Sequence, residues 1–262
     1  MSSPPRWKHL SARIQSTTAR SGRAAAGEFS IEGTRLFERA LRAEAPLTAA
    51  LFDASYGKKP RERSVLDELE ARGIEMQVMP PDLANSLTAG RTFGTIIGLV
   101  TLHQTEECLP ATGDLLVAVD VQDPGNVGAL IRTAAASGAT ALIAVGTTDP
   151  YHPKAVRTSM GSLFKLNILE RSTPQSLWES LRESGHASLA AIPRSGLAPW
   201  SSELPAGPHA VLVGSEAHGL PLEVQAACAA KVSLPQRDDL DSYSVNAAAA
   251  MLLYELTRRR SS

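Results

Sequence analysis

Cysteine is nearly absent from this chain: Cys108 and Cys228 are the only two in 262 residues, with no CxxC and no His–Cys cluster. They suggest neither a disulfide framework nor a zinc site, and a reducing cytoplasm is the compartment they fit. No apolar stretch approaches the ~18 consecutive residues of a membrane span. The leading Met-Ser-Ser-Pro-Pro-Arg-Trp lacks the apolar core of a signal peptide. The expectation is a protein neither secreted nor membrane-embedded. An excess of one sign of charge is also missing, since 26 basic and 27 acidic side chains leave a formal −1 that says nothing about partners.

What is present is a globular composition, 43% hydrophobic and 20% charged, in a chain long enough for two domains. Charge is unevenly placed: residues 1–27 carry Arg6, Lys8, Arg13, Arg20 and Arg23 with no acid. Such a basic arm is either a solvated terminus or a nucleic-acid contact, and composition alone leaves both open.

Residues 6–107 read as a small α/β unit. Helices are expected around Ile31–Leu41 and Ser64–Arg72, and strands at Leu47–Asp53, Glu75–Val78 and Ile96–Leu102. The Pro- and Gly-bearing stretch from Cys108 to Asp114 is the expected linker, which sets the domains at 1–108 and 115–262 with residues 109–114 between them. From Leu115 onward apolar strands alternate with helices. Strands are expected at Leu115–Val121, Thr140–Val145, Leu163–Ile168, His186–Ile192, Ala210–Val213 and Lys231–Leu234, and helices at Val127–Ser137, Gln175–Glu183 and Val245 to about Arg259. That alternation predicts a parallel sheet covered on both faces.

Three stretches can carry chemistry. Asp123-Pro-Gly-Asn126-Val-Gly128 is a polar turn between strand and helix, where open α/β sheets hold ligands. Its glycines can equally serve the turn, and Asn126 can equally be a cap. Arg132 stands on a helix otherwise made of Ala, Leu and Ile, which points it toward a polar pocket rather than the core. In the second stretch, Ala210-Val-Leu-Val213-Gly214-Ser-Glu216-Ala-His-Gly219-Leu220, a strand runs into a tight glycine loop whose backbone can approach a ligand closely. It has neither GxGxxG nor GxxxxGK[ST] spacing, so the dinucleotide and phosphate-loop readings fail there. In the third, Leu234-Pro-Gln-Arg-Asp238-Asp-Leu-Asp-Ser242-Tyr243-Ser244-Val-Asn246 leads into the alanine run 247–250, either a strong helix former or a face for close packing.

Taken in order, NxGxxxR, then GxExxGL, then a Pro-loop-Ser-helix ending in Leu-Tyr-Glu255, these resemble the SpoU/TrmH-type branch of the SPOUT RNA methyltransferases over residues 115–260. The stretches Phe29-Ser-Ile-Glu-Gly33 and Phe93-Gly-Thr-Ile-Ile-Gly-Leu-Val100 resemble the ends of the ribosomal-protein-like RNA-binding domain that many members carry. The resemblance implies an α/β fold in which a parallel-sheet SPOUT domain with a trefoil knot follows a small RNA-binding domain. It also implies a homodimer and S-adenosylmethionine held by backbone near Val213, Gly214, Leu234, Tyr243 and Ser244. Asn126, Arg132, Glu216 and Ser242 would be the catalytic set.

Because a guanidinium stays protonated, Arg132 is expected to clamp a phosphate and stabilise a developing alkoxide rather than act as a base. With RNA as the implied partner, Arg13, Arg20, Arg23 and Arg35 become candidate backbone contacts. Two positions depart from the family pattern: Ser244 where an asparagine is usual, and Asp238 where a glycine is usual. Asn246, two places further along, is expected to face another way. Three functions remain open: ribosomal-RNA ribose methylation, transfer-RNA ribose methylation, and an inactive RNA-binding or assembly factor.

Overall fold

The computed structural model describes residues 5–80, 83, 87, 96–102 and 108–261. By contact the chain divides into two compact units, Met1–Gln104 with Tyr151–Arg157, and Thr105–Pro150 with Thr158–Ser262. The segment Tyr151–Arg157 thus groups with the first unit although its sequence lies inside the expected second domain. The ring of Tyr151 packs 5.1 Å from that of Phe29, and Arg157 pairs with Glu32 at 3.5 Å.

In the first unit, α1 (Arg6–Ser16) and α2 (Arg20–Ala26) precede β1 (Glu28–Glu32), α3 (Thr34–Arg42), β2 (Leu47–Asp53), α4 (Pro60–Ala71), β3 (Glu75–Met79) and β4 (Ile96–Thr101). The strands form one mixed sheet in the order β1-β4-β2-β3, with only β2 and β3 parallel. Phe93, Gly94 and Thr95, part of the expected closing stretch, lie outside the described residues. Phe37 of α3 sits over Gly98, where a Cβ would collide with its ring, so the strand needs glycine at that point.

The basic arm is corrected: it is two helices, not a solvated tail. Leu10 and Ile14 lie four residues apart on α1 and are buried against Ala49, Leu51, Met79, Ile97 and Leu99 of the sheet. Two of its arginines are also engaged internally. Arg23 is 2% exposed, its Nη1 donating to the carbonyls of Thr17 and Thr18 at 2.9 and 3.1 Å. It closes the turn between α1 and α2, which removes it from the candidate RNA contacts. Arg13 donates to both carboxylate oxygens of Glu28 at 2.7 and 3.0 Å, while Thr48 donates to one of them. Arg20 and Arg35 are exposed.

The second unit holds β5 (Leu115–Val119), α5 (Pro124–Ala136), β6 (Ala141–Val145), β7 (Asn167–Arg171), α7 (Pro174–Ser184), β8 (Ala187–Ala191), β9 (His209–Val213), α8 (Leu222–Ala227), β10 (Ala230–Val232) and α9 (Val245–Ser261); α6 (Pro153–Thr158) lies between β6 and β7. Its six-stranded sheet runs β10-β8-β9-β5-β6-β7 and every pairing is parallel. All residues of β5, β6 and β9 are buried, which is why their sequences, His209 apart, are apolar runs rather than alternations. The expected strand Leu163–Ile168 is instead a short 3-10 turn at Ser162–Phe164 followed by β7. The stretch is too short for the spacing of Leu163, Phe164, Leu166 and Ile168 to tell these apart. Cys228 packs half-buried on the sheet's core, and burial pushes its thiol up to about 11, so it stays protonated at neutral pH.

Candidate active site

The carboxyl ends of β8, β9 and β10 open into one cavity of about 460 Å³, closed on a further side by the start of α9. Ile192, Val213, Leu220, Val232, Leu234 and Leu252 give it apolar walls, and Glu216, Ser242, Tyr243 and Ser244 also line it. Size and lining suit a small organic ligand held partly by backbone.

The loop after β9 is shaped by two glycines for different reasons. The Gly219 amide donates to the Ser215 carbonyl at 2.8 Å, and Gly219 takes a φ of +66°, which only glycine adopts at little cost. Gly214 has an ordinary φ, but a Cβ there would drive into the carbonyl of Gly219 and the amide of Leu220. Both contacts are backbone, so no side chain can rotate away.

A second loop, residues 235–243, is tied from three directions. Arg194, just past β8, donates Nη1 to Asp238 at 2.9 Å and Nη2 to the carbonyls of Arg237, Asp238 and Leu240 at 3.3, 3.2 and 2.8 Å. Gln236 donates to the Asp241 carbonyl at 3.3 Å, and the Tyr243 hydroxyl donates to the Pro235 carbonyl at 3.0 Å. Asp238 is not among the described residues with positive φ, so the backbone there does not demand a glycine. Its carboxylate serves as the anchor for Arg194. A loop ordered before its ligand arrives has less entropy to lose on binding. Arg194→Ala should therefore weaken binding of the cavity's ligand roughly ten-fold, about 1.4 kcal/mol, by calorimetry. An unchanged dissociation constant would show that the loop keeps its shape without the guanidinium.

The third component comes from α5. Asp123 caps this helix, accepting from the Asn126 amide at 3.0 Å, and Pro124 occupies its first turn. The entry angle is set upstream, where the Thr148 hydroxyl accepts from the Val121 amide at 3.0 Å and donates to the Ala118 carbonyl at 3.2 Å. Asn126 thereby reaches Glu216, donating Nδ2 to Oε1, and accepts on Oδ1 from Nδ2 of Asn246 at 3.2 Å. Residues 126, 216 and 246 so form one hydrogen-bonded chain joining α5, the β9 loop and α9.

Residues 114–254 match the model of the SpoU rRNA Methylase family. Two enzymes align at nearly full length. The 23S rRNA (guanosine(2553)-2'-O)-methyltransferase RlmP of Bacillus subtilis is 28% identical, over 95% of this chain and 94% of its own. The 23S rRNA (uridine(2479)-2'-O)-methyltransferase of Streptomyces viridochromogenes is 29% identical, over 92% and 86%. Among solved structures, the SpoU methyltransferase AviRb of Streptomyces viridochromogenes in complex with AdoMet superposes with a TM-score of 0.85 at 26% identity, covering 99% of both chains. The AdoMet-bound rRNA methyltransferase of Sinorhizobium meliloti gives 0.82 at 26% identity, over 98% and 97%.

The chain belongs to the SpoU rRNA methylase family.

As a SpoU protein it falls among the RNA ribose 2′-O-methyltransferases. The structure gathers most of the residues that the SpoU resemblance implied: Val213, Gly214, Glu216, Leu234, Ser242, Tyr243 and Ser244 all line the one cavity, and Asn126 touches Glu216. Arg132 stands apart, exposed on α5 and not among the cavity's lining residues. The expected pocket does not enclose it within this chain.

Asn246 is not among the cavity's lining residues, whereas Ser244 is, and the Asn246 side chain turns instead to Asn126. As expected, α9 begins at Val245; Ser244 is its cap, accepting from the Ala247 amide at 3.3 Å.

Proposed function

We propose that this SpoU enzyme transfers a methyl group from S-adenosylmethionine to a ribose 2′-hydroxyl of ribosomal RNA. The observation that carries this reading is the Asn126–Glu216 hydrogen bond, which brings the first motif to the mouth of the cavity built by the second and third. When bound, the cofactor supplies an electrophilic methyl on a sulfonium. The apolar walls and the ordered backbone of residues 213–214, 234 and 243 suit its nucleoside part, and the Glu216 carboxylate at the mouth suits a cationic centre.

The chain's own contribution is position and charge. Oxygen–carbon bond formation at the 2′-hydroxyl accompanies cleavage of the carbon–sulfur bond, and the hydroxyl proton leaves to solvent or to a neighbouring base. Glu216, held by Asn126, accepts a hydrogen bond from the ribose, and Ser242 lines the same opening. Arg132 holds a neighbouring phosphate and offsets negative charge growing on the oxygen without being deprotonated. Its place outside the cavity's lining supports a homodimer in which a second copy completes the site, and the exposed Tyr254 on α9 marks a surface such a copy would cover. We place the SPOUT trefoil knot in the second unit and RNA recognition in the first, through Arg20 and Arg35, with Arg13 and Arg23 retained as internal ties.

Ribosomal rather than transfer RNA is favoured because both aligned rRNA enzymes match along nearly the whole chain, first unit included. The discriminating test uses RNA from cells lacking this protein, separated into ribosomal and transfer fractions and incubated with labelled S-adenosylmethionine. Label is expected in the large ribosomal RNA; label confined to transfer RNA would replace this reading with the other.

A further inference from the structure

The hydrogen-bonded chain Glu216–Asn126–Asn246 has a direction, and chemistry fixes it. An ionised carboxylate only accepts, so Glu216 obliges Asn126 to present its Nδ2 end. The Asn126 Oδ1 is then left facing α9, and only a donor satisfies it. Asn246 supplies that donor through Nδ2 at 3.2 Å. Its own Oδ1 is consequently turned into a buried place where no protein donor among the described residues reaches it.

That last feature argues against a merely structural amide. Residue 246 stands in the first turn of a helix continued by Ala247, Ala248, Ala249 and Ala250, where alanine is the better helix former and would remove the buried unpaired Oδ1, leaving the half-buried Asn126 to take its donor from water. The asparagine is kept at the expense of local stability, as happens where function requires a particular group. Ser244 meanwhile is occupied with capping α9.

We infer that Asn246 is a positioning residue, locking the Asn126 amide so that it donates to Glu216 and holds that carboxylate at the cavity mouth in a single orientation. The role rests on the methyl-transfer reading above for its consequence in turnover, but the lock itself is a property of the resting protein. Without Asn246 only the Glu216 bond holds the Asn126 side chain, which is then free to swing about its own torsions and to let the carboxylate that faces the ribose move with it.

Three measurements separate this from a packing role. Asn246→Ala should keep or raise the melting temperature and leave cofactor affinity unchanged, yet lower kcat by about a hundred-fold, the scale of a misplaced reacting geometry. Asn246→Asp should be worse near neutrality, because a carboxylate cannot donate. Relative to wild type at each pH, it should recover as acid protonates it and restores a donor, a profile no packing role produces.

The third readout needs no turnover: in 15N-labelled protein the Asn126 side-chain amide should shift in the Asn246→Asp variant and return on acidification. If wild type transfers no methyl while these amide signals respond as stated, the functional reading fails and the lock stands. Identical Asn126 signals in wild type and Asn246→Asp overturn the lock, as does a kcat retained by Asn246→Ala.

Discussion

Arg132→Ala should cost the enzyme about 10² to 10³ in kcat, the loss seen when one preorganised donor to a developing oxyanion is removed, with cofactor affinity unchanged. The asymmetry comes from where the residue sits. Arg132 is exposed on α5 and does not line the cavity, so its removal leaves the cofactor's walls intact. The helix around it, Val127, Leu130, Ile131 and Ala134, is buried and needs nothing from the guanidinium, so stability should hold as well. Arg132→Lys keeps the charge but loses the planar fork that grips a phosphate, and should fall between the two. Single-turnover kinetics alongside calorimetry check this. An Arg132→Ala protein that turns over normally, or one whose cofactor binding collapses, contradicts the assigned role.

Gly214→Ala should abolish useful cofactor binding, weakening it by about a hundred-fold or more, through a single added carbon. The new Cβ would meet the carbonyl of Gly219 and the amide of Leu220, so the loop backbone at the cavity wall must move. Gly219→Ala is the matched control: nothing lies near its added Cβ, and the cost is the left-handed torsion alone, ~1 kcal/mol of stability. Calorimetric titration of both variants with S-adenosylmethionine should show binding lost in the first and retained in the second. Comparable affinities would mean that the β9 loop is not the cofactor's wall.

The second unit was legible because its central strands are buried on both faces and write themselves as unbroken apolar runs, as Leu115–Val119 and, after His209, residues 210–213 do. Its site was legible through glycines and polar loops whose order is distinctive. The first unit's amino-terminal helices were missed because five basic residues in α1, α2 and their surroundings dominate the composition, while only Leu10 and Ile14 mark the buried face of α1. Arg23 was misread for the same reason, since charge counts cannot distinguish a cation facing solvent from one spent on two carbonyls. Asn246 and Arg194 were missed because their partners lie 120 and more than 40 residues away in sequence. No local pattern reports such a contact.

The most direct test of the central claim is transfer of labelled methyl from S-adenosylmethionine to unmodified RNA, with products mapped by 2′-O-methyl-sensitive sequencing for wild type and Arg132→Ala. A ribose mark at one nucleotide, present with wild type and lost with the variant, is the predicted result. A mark on a base, or no transfer by wild-type protein that demonstrably binds both cofactor and RNA, would contradict it.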